Sequence, residues 1–154
     1  MRSLVVVALA GALLVVAASA QAAIVPNVSI GGARIGMTEK QVRAALGAPQ
    51  STRGNAASKE LGYRTVTAVL VKGKVLGLTT KAPSEKVGSI GVGSAEAKLR
   101  QQVKGLKCVV NVGTRVCNLL PAGFKVGQGF TAFFIDAGKV SRISISTSAT
   151  LKQS

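Results

Sequence analysis

The residues that most often perform chemistry in proteins are scarce in this chain of 154 residues. The sequence contains no histidine, so neither a Ser-His-Asp triad nor a Cys-His nucleophile can be built. Its five carboxylates are scattered, without the paired spacing of acid–base catalysis or the clustering of a transition-metal site. They are Glu39, Glu60, Glu85, Glu96 and Asp136. This inventory predicts a protein that is not an enzyme and binds no metal.

One glycine-rich segment partly imitates a dinucleotide-binding fingerprint. Gly91 and Gly93 precede a predicted helix, but the position of the third glycine is occupied by Glu96. The carboxylate of Glu96 would repel a pyrophosphate, and the neighbouring segments do not form a parallel βαβ pattern. We therefore expect a plain turn that leads into a helix, and no cofactor.

The two cysteines, Cys108 and Cys117, flank a segment with the pattern of a short hairpin. Valines lie beside each cysteine and polar residues lie between them, so a hairpin would place the two thiols opposite each other. A redox or metal-binding pair is the alternative, but the spacing is not Cys-x-x-Cys and histidine is absent. In an oxidising compartment, we expect a structural disulfide.

Net charge is the remaining functional clue in the sequence. Twenty Lys and Arg residues stand against five Asp and Glu, a formal net charge of +15. The i, i+4, i+7 spacing of Arg100, Lys104 and Lys107 predicts a basic stripe on one helix, which Lys40 and Arg43 would extend. Such a surface would attract an anionic wall polymer, lipid headgroups or an acidic protein. A merely solubilising surface is the alternative, and predicted secretion with few aromatic residues argues against nucleic acid.

The first 22 residues have the pattern of a cleaved secretory signal. Arg2 supplies a positive start, residues 4–18 form an apolar run, and residues 18–20 and 20–22 are overlapping small-x-small cleavage sites. The run is short for a membrane span, and no later segment is long enough. We expect a soluble mature chain that is secreted, periplasmic or located in the cell envelope.

A pattern of glycine turn, short helix and strand-like sequence occurs twice in the remainder. The first copy spans residues 35–49, where Thr38 and Gln41 have the spacing of a capping box. The second copy spans residues 90–105, with Ser94 as the predicted helix cap. In each copy, the strand-like sequence that follows ends in a Gly-Lys hairpin.

The strand predictions follow the apolar and turn-forming residues between these helices. Residues 50–59 are small and polar and predict a loop, whereas residues 61–71 predict one strand that turns at residues 72–74. Residues 124–135 predict a long strand, residues 136–139 a turn, and residues 140–147 the last strand.

Together these elements predict an α+β protein made of two α-then-β repeats, with short helices packed on one face of an antiparallel sheet. The expected organisation is a signal over residues 1–22 and a first repeat over residues 23–83. A second repeat with the disulfide hairpin covers residues 84–148, and a loose tail covers residues 149–154.

The first repeat resembles the SmpA/OmlA, or BamE-like, module. The resemblance rests on the entry at residues 36–38, on Val42, and on the exit Leu-Gly-x-Pro at residues 46–49. The second repeat resembles a degenerate copy, as in tandem folds like that of β-lactamase inhibitory protein. The resemblance implies the fold and little about function, because the matching residues are helix caps and stops. The chain also lacks the acylated cysteine of BamE-like lipoproteins and the aromatic-rich sheet of the inhibitory protein.

The sequence therefore leads to a secreted, non-catalytic binding or envelope-associated protein with an anionic partner. The alternative is an inhibitor of a secreted enzyme that acts through its open sheet face. The inhibitor hypothesis requires an exposed patch that contains Tyr63 or the rings of residues 130–134.

Overall fold

The computed structural model describes residues 23–148, and antiparallel β-strands dominate this range. The predicted signal at residues 1–22 and the predicted tail at residues 149–154 lie outside the described residues. The elements are β1 (Ile24–Val25), β2 (Ser29–Ile30), β3 (Ala33–Arg34), α1 (Glu39–Leu46), β4 (Ser51–Gly54), β5 (Ser58–Gly62), β6 (Thr67–Val71), β7 (Lys74–Thr80), β8 (Lys86–Val87), β9 (Ile90–Gly91), α2 (Glu96–Gln102), β10 (Leu106–Asn111), β11 (Thr114–Leu119), β12 (Gly129–Asp136) and β13 (Lys139–Thr147).

Eight of these strands form one sheet in the order β10-β11-β12-β13-β7-β6-β5-β4. All neighbouring pairs in it are antiparallel. The meander β4–β7 and the meander β10–β13 meet where β7 pairs with β13. At this central seam Leu78 lies opposite Ile145, and Thr80 lies opposite Ile143. The seam therefore joins both parts of the chain into one continuous sheet.

One face of the sheet is buried, and the side chains that alternate onto it form the core. Its largest members include Leu61, Leu70, Leu78, Phe133, Ile143 and Ile145. Opposite them lie Ile24, Ile30 and Ala33 from the β1–β3 ribbon and Ile90 from β9, all in the same apolar cluster. Each fully buried large apolar side chain contributes about 1.5–3 kcal/mol relative to exposure to water.

The expected α+β fold of two α-then-β repeats, with helices covering a sheet face, is wrong. The protein is mostly antiparallel β, and its helices have only 8 and 7 residues. A helix of that size is about 12 Å long, whereas eight strands span about 34 Å. Each helix contributes one buried side chain, Val42 or Leu99, so the short ribbons supply much of the covering layer.

The predicted start and stop of α1 are confirmed. Thr38 is the N-cap, and its hydroxyl accepts from the Gln41 backbone N–H while the Gln41 side chain accepts from the Thr38 backbone N–H. The helix ends at Gly47, whose φ of 83° favours glycine. The predicted cap of α2 is wrong: Ala95 is the N-cap, and the hydroxyl of Ser94 accepts from the Gly91 backbone N–H instead.

Three of the strand and loop predictions are also wrong. The long strand predicted at residues 124–135 begins only at Gly129, as β12. The predicted single strand at residues 61–71 contains a turn, in which the Tyr63 N–H donates to the Val66 carbonyl at 2.8 Å, and this turn separates β5 from β6. The predicted loop at residues 50–59 contains β4 and the start of β5. Strand β4 is an exposed edge strand, so it carries no apolar alternation that could reveal it. The predicted hairpin turns at residues 72–74 and 136–139 are confirmed.

Candidate functional site

The five predicted surface cations fall into two groups. Lys40 and Arg43 lie on α1, whose entry is hydrogen-bonded to the start of β7. Arg100 lies on α2, whose entry is hydrogen-bonded to the start of β13. Because β7 and β13 are antiparallel, these helix entries lie at opposite ends of the central seam.

The predicted helical stripe is not formed. Helix α2 ends at Gln102, so Lys104 lies in the turn that follows and Lys107 lies on β10. All five predicted cations are exposed to solvent. The spacing of Arg100, Lys104 and Lys107 places them on one helix face only if the helix continues to residue 107, and it ends at Gln102.

Glu39 holds one of these cations in an ion-pair cluster. Its carboxylate lies 2.7 Å from the Lys59 Nζ on β5 and 2.7 Å from the Arg43 Nη2 one helical turn away. Hydrogen bonds from Lys59 and then from Arg43 lower the pKa of Glu39 from its ordinary value. The cluster ties the first turn of α1 to the sheet and partly neutralises Arg43.

Glu96 forms the corresponding cluster at the other helix. Its carboxylate accepts from the Arg100 Nε at 2.8 Å and from the Arg115 Nε on β11 at 2.9 Å. The hydrogen bond from Arg100 lowers the pKa of Glu96 most; burial opposes it as the second-largest cause, and the hydrogen bond from Arg115 adds to the lowering.

The predicted disulfide between Cys108 and Cys117 is confirmed and pairs the two strands of the β10–β11 hairpin. Its sulfurs lie within 4.8 Å of the Glu96 carboxylate. The two sulfurs are bonded to each other, and the Glu96 carboxylate is ion-paired with two arginines. We therefore assign this group a structural role.

A positively charged groove lies on the other face of the sheet, at the end where β7 terminates. Two adjoining cavities of about 430 and 350 Å³ share Lys81. The first also contains Arg64, and the second contains Arg142. We call this surface the basic groove; it consists of Arg64, Lys81 and Arg142 with the hydroxyl residues Thr67, Thr79, Thr114 and Ser141.

Arg142 lies over an aromatic ring within the basic groove. Its guanidinium carbon lies 3.7 Å from the centroid of the Phe134 ring, the residue opposite it on β12. The cation–π contact orients the charged plane without neutralising it. Its Nε is buried and has no hydrogen-bond partner among the described residues.

The cations in the lining of the basic groove outnumber the carboxylates three to one. Within residues 23–148, none of Arg64, Lys81 and Arg142 lies within ion-pair distance of a carboxylate. Asp136 is the acidic residue in the lining, and it faces Lys139 across the β12–β13 turn. Three unpaired cations beside several hydroxyl donors favour an anionic ligand.

Sequence reasoning missed this groove because its three cations are far apart in the chain. They come from the β5–β6 turn, the end of β7 and the middle of β13, and only the strand order brings these places together. One signal in the sequence could have revealed part of the groove. The alternation of apolar and polar residues in β13 places Arg142 on the face opposite the buried Ile143.

The aromatic residues do not form the patch that the inhibitor hypothesis requires. Phe133 is fully buried, Phe130 is 7% exposed and packs edge-on against Phe124, and Phe134 lies under Arg142. Tyr63 is half-buried, and burial raises the pKa of its hydroxyl. The sheet face therefore lacks the exposed rings on which that hypothesis depended.

These features define an antiparallel β domain built on one eight-stranded main sheet, with a disulfide-linked edge hairpin and a basic groove. Neither helix in the described range is long and apolar enough to cross a membrane. No protein-family model matches the chain, and no curated protein matches it in sequence.

Solved structures with a similar fold include two that are secreted or extracellular according to their descriptions. One is an extracellular protein containing an SCP domain from Bacillus anthracis, with a TM-score of 0.55, 12% identity and coverage of 77% of this chain and 46% of that one. The other is a cysteine-rich secretory protein from Staphylococcus aureus, with a TM-score of 0.53, 12% identity and coverage of 82% and 49%. The present chain spans about half the length of each.

The predicted membership of the SmpA/OmlA (BamE-like) family is wrong. The structural neighbours are SCP-domain and cysteine-rich secretory proteins, and one eight-stranded sheet replaces the expected tandem repeats. The motif at residues 36–49 specifies how a short helix begins and ends, which is compatible with many folds.

Proposed function

We propose that this chain is a secreted, non-catalytic binding protein whose partner is an anionic component of the cell envelope. The observation that carries the proposal is the uncompensated positive charge of the surface. In the described range four basic residues are ion-paired, and they share only two carboxylates, Glu39 and Glu96. A surface with so few opposing charges attracts polyanions over several ångströms.

Secretion is supported by three independent features. Residues 1–22 have the pattern of a secretory signal. The Cys108–Cys117 disulfide is of the kind that persists in oxidising compartments. The two structural neighbours are described as an extracellular and a secretory protein.

The carboxylates support a non-catalytic role. Glu39 and Glu96 each bind two cations, and Asp136 lies next to a hairpin turn. Glu85 is buried and accepts from the Thr65 hydroxyl at 2.8 Å. Histidine, the commonest general base, is absent from the sequence.

The test is retention of the chain from Ala23 onward on insoluble envelope material. We expect it to bind at about 0.02 M salt and to elute by about 0.5 M salt, because screening shortens electrostatic attraction. The same material stripped of its anionic polymers is the matched control and should retain little protein. Full recovery in the low-salt wash of unstripped material would refute the proposal.

A further inference from the structure

We infer that the basic groove is a binding site for a linear phosphate-bearing polymer; this inference rests on the proposed function and names its ligand class. Two adjoining cavities, each with its own cation and with Lys81 between them, suit a ligand that carries several anionic groups in series. A single small anion would occupy only one of the two cavities.

The side chains of the groove match phosphate chemistry. The planar guanidinium of Arg142, stacked on Phe134, can donate two parallel hydrogen bonds to two oxygens of one phosphate. Lys81 supplies a point charge, and the hydroxyls of Thr79 and Thr114 add neutral donors in the adjoining cavities. The two non-bridging oxygens of each phosphate in such a polymer carry its negative charge and can accept from both kinds of donor.

The groove suits a chain better than a lipid surface. The most exposed large apolar side chains in the described range are Val112, at 97% exposure, and Val126, at 89%. Val112 directly precedes Gly113, which lines the second cavity, but the lining of the first cavity contains no exposed large apolar side chain. A bilayer-binding surface normally places apolar side chains beside its cations so that they enter the headgroup layer.

Substitution of Asp136 tests whether the ligand binds in the second cavity. It lines the second cavity and would repel a phosphate there. We expect Asp136→Asn to tighten binding to short-chain polyphosphate about two- to fivefold, because removal of a nearby like charge favours the complex. Glu60→Gln makes the same change in net charge at a residue of β5 that lines neither cavity, and should alter binding less.

The main experiment compares two triple variants of equal net charge for binding to labelled short-chain polyphosphate at fixed salt. Arg64→Gln/Lys81→Gln/Arg142→Gln neutralises the groove. Lys72→Gln/Lys98→Gln/Lys125→Gln neutralises three exposed cations in a turn, a helix and a loop. We expect the groove variant to lose at least about tenfold in affinity, since three charge-assisted contacts are removed. The control variant should lose less than about threefold, because only long-range attraction changes.

A double variant and a second polymer complete the test of the groove as a phosphate-binding site. Arg64→Gln/Lys81→Gln keeps the half-buried Arg142 and its stacking, so it reports on the groove even if the triple variant is poorly folded. Polyglutamate of equal charge should bind the wild-type chain more weakly than polyphosphate does. Equal affinity for the two polymers would overturn the inference, and so would groove-dependent binding to anionic lipid vesicles in place of polyphosphate.

The two proposals fail in different ways. If the wild-type chain shows no salt-sensitive retention on envelope material, the proposed function fails. If it is retained, and the groove variant binds polyphosphate as well as the control variant does, only the groove assignment fails.

Discussion

At the scale of single residues, Glu39 and Glu96 organise most of the compensated charge in the protein. Each lies in the first turn of a short helix and accepts from an arginine four residues later. Each also binds a cation from the sheet, Lys59 for Glu39 and Arg115 for Glu96. Because each helix buries only one side chain, these ionic contacts supplement a small apolar contact area.

The paired carboxylates predict a loss of stability in acid. Their pKa values are lowered from the ordinary 4.5, so the unfolded chain binds protons more tightly than the folded chain. The stabilisation is therefore present above pH 4.5 and is lost as the pH falls through the lower folded pKa values. We expect the urea midpoint of the wild-type chain to fall on going from pH 6 to pH 3.

Substitution of both carboxylates tests this cause. Glu39→Gln/Glu96→Gln should be less stable than wild type at pH 6, and its urea midpoint should change less between pH 6 and pH 3. Glu60→Gln, in which no ion pair is removed, is the control and should keep the wild-type pH dependence. An unchanged pH profile in the double variant would contradict the assignment.

At the scale of elements, the β10–β11 hairpin carries the exposed large apolar side chains of the eight-stranded sheet. Strand β10 is an edge strand, and its Val109 and Val110 are 53% and 66% exposed. On the opposite side of the hairpin, β11 pairs with β12 and places the buried Cys117 next to the fully buried Phe133. The disulfide therefore links a weakly packed edge to the core.

Removal of the disulfide should destabilise the protein measurably. Cys108→Ala/Cys117→Ala opens a loop with a sequence separation of 9. The chain-entropy model assigns about 2.5 kcal/mol to closure of a loop of this length. We expect a loss near this value in urea unfolding, and wild-type protein treated with a reductant should approach the same stability. Equal stability of the oxidised protein and the double variant would show that the hairpin is held by its strand pairing alone.

At the scale of the whole molecule, the β7–β13 seam decides whether the chain is one unit or two. Residues on both sides of it, including Leu78, Ile143 and Ile145, are fully buried and belong to one core. The division into residues 23–83 and 84–148, which the sequence predicts, falls between elements that share this core. We therefore expect both parts to unfold together.

Cooperative unfolding can be measured with a natural reporter. Tyr63 is the only tyrosine and tryptophan is absent, so tyrosine fluorescence reports on the first part of the chain. Far-ultraviolet circular dichroism reports on all strands. We expect the two urea transitions to coincide. Ile145→Ala should lower the free energy of unfolding obtained from both signals by about 2–4 kcal/mol. Ser146→Ala, on the opposite face of β13, is the control, and two separate transitions would contradict a single unit.

The sequence by itself determined the local features of this protein. The capping box at Thr38, the helix stop at Gly47, the hairpin turns and the Cys108–Cys117 pair all depend on residues close together in the chain. The excess of positive charge is likewise a property of composition. These predictions succeeded because short-range hydrogen bonds and turn conformations need no distant partner.

Only the tertiary structure decided the fold and the arrangement of the candidate site. The helix caps could not show that the two helices are too short to cover the sheet, so that β ribbons cover much of the core. Polar edge strands such as β4 have no apolar alternation by which to predict them. The basic groove joins Arg64, Lys81 and Arg142 across three separate segments. Its position depends on the β7–β13 pairing, a long-range contact whose strand register is set by core packing.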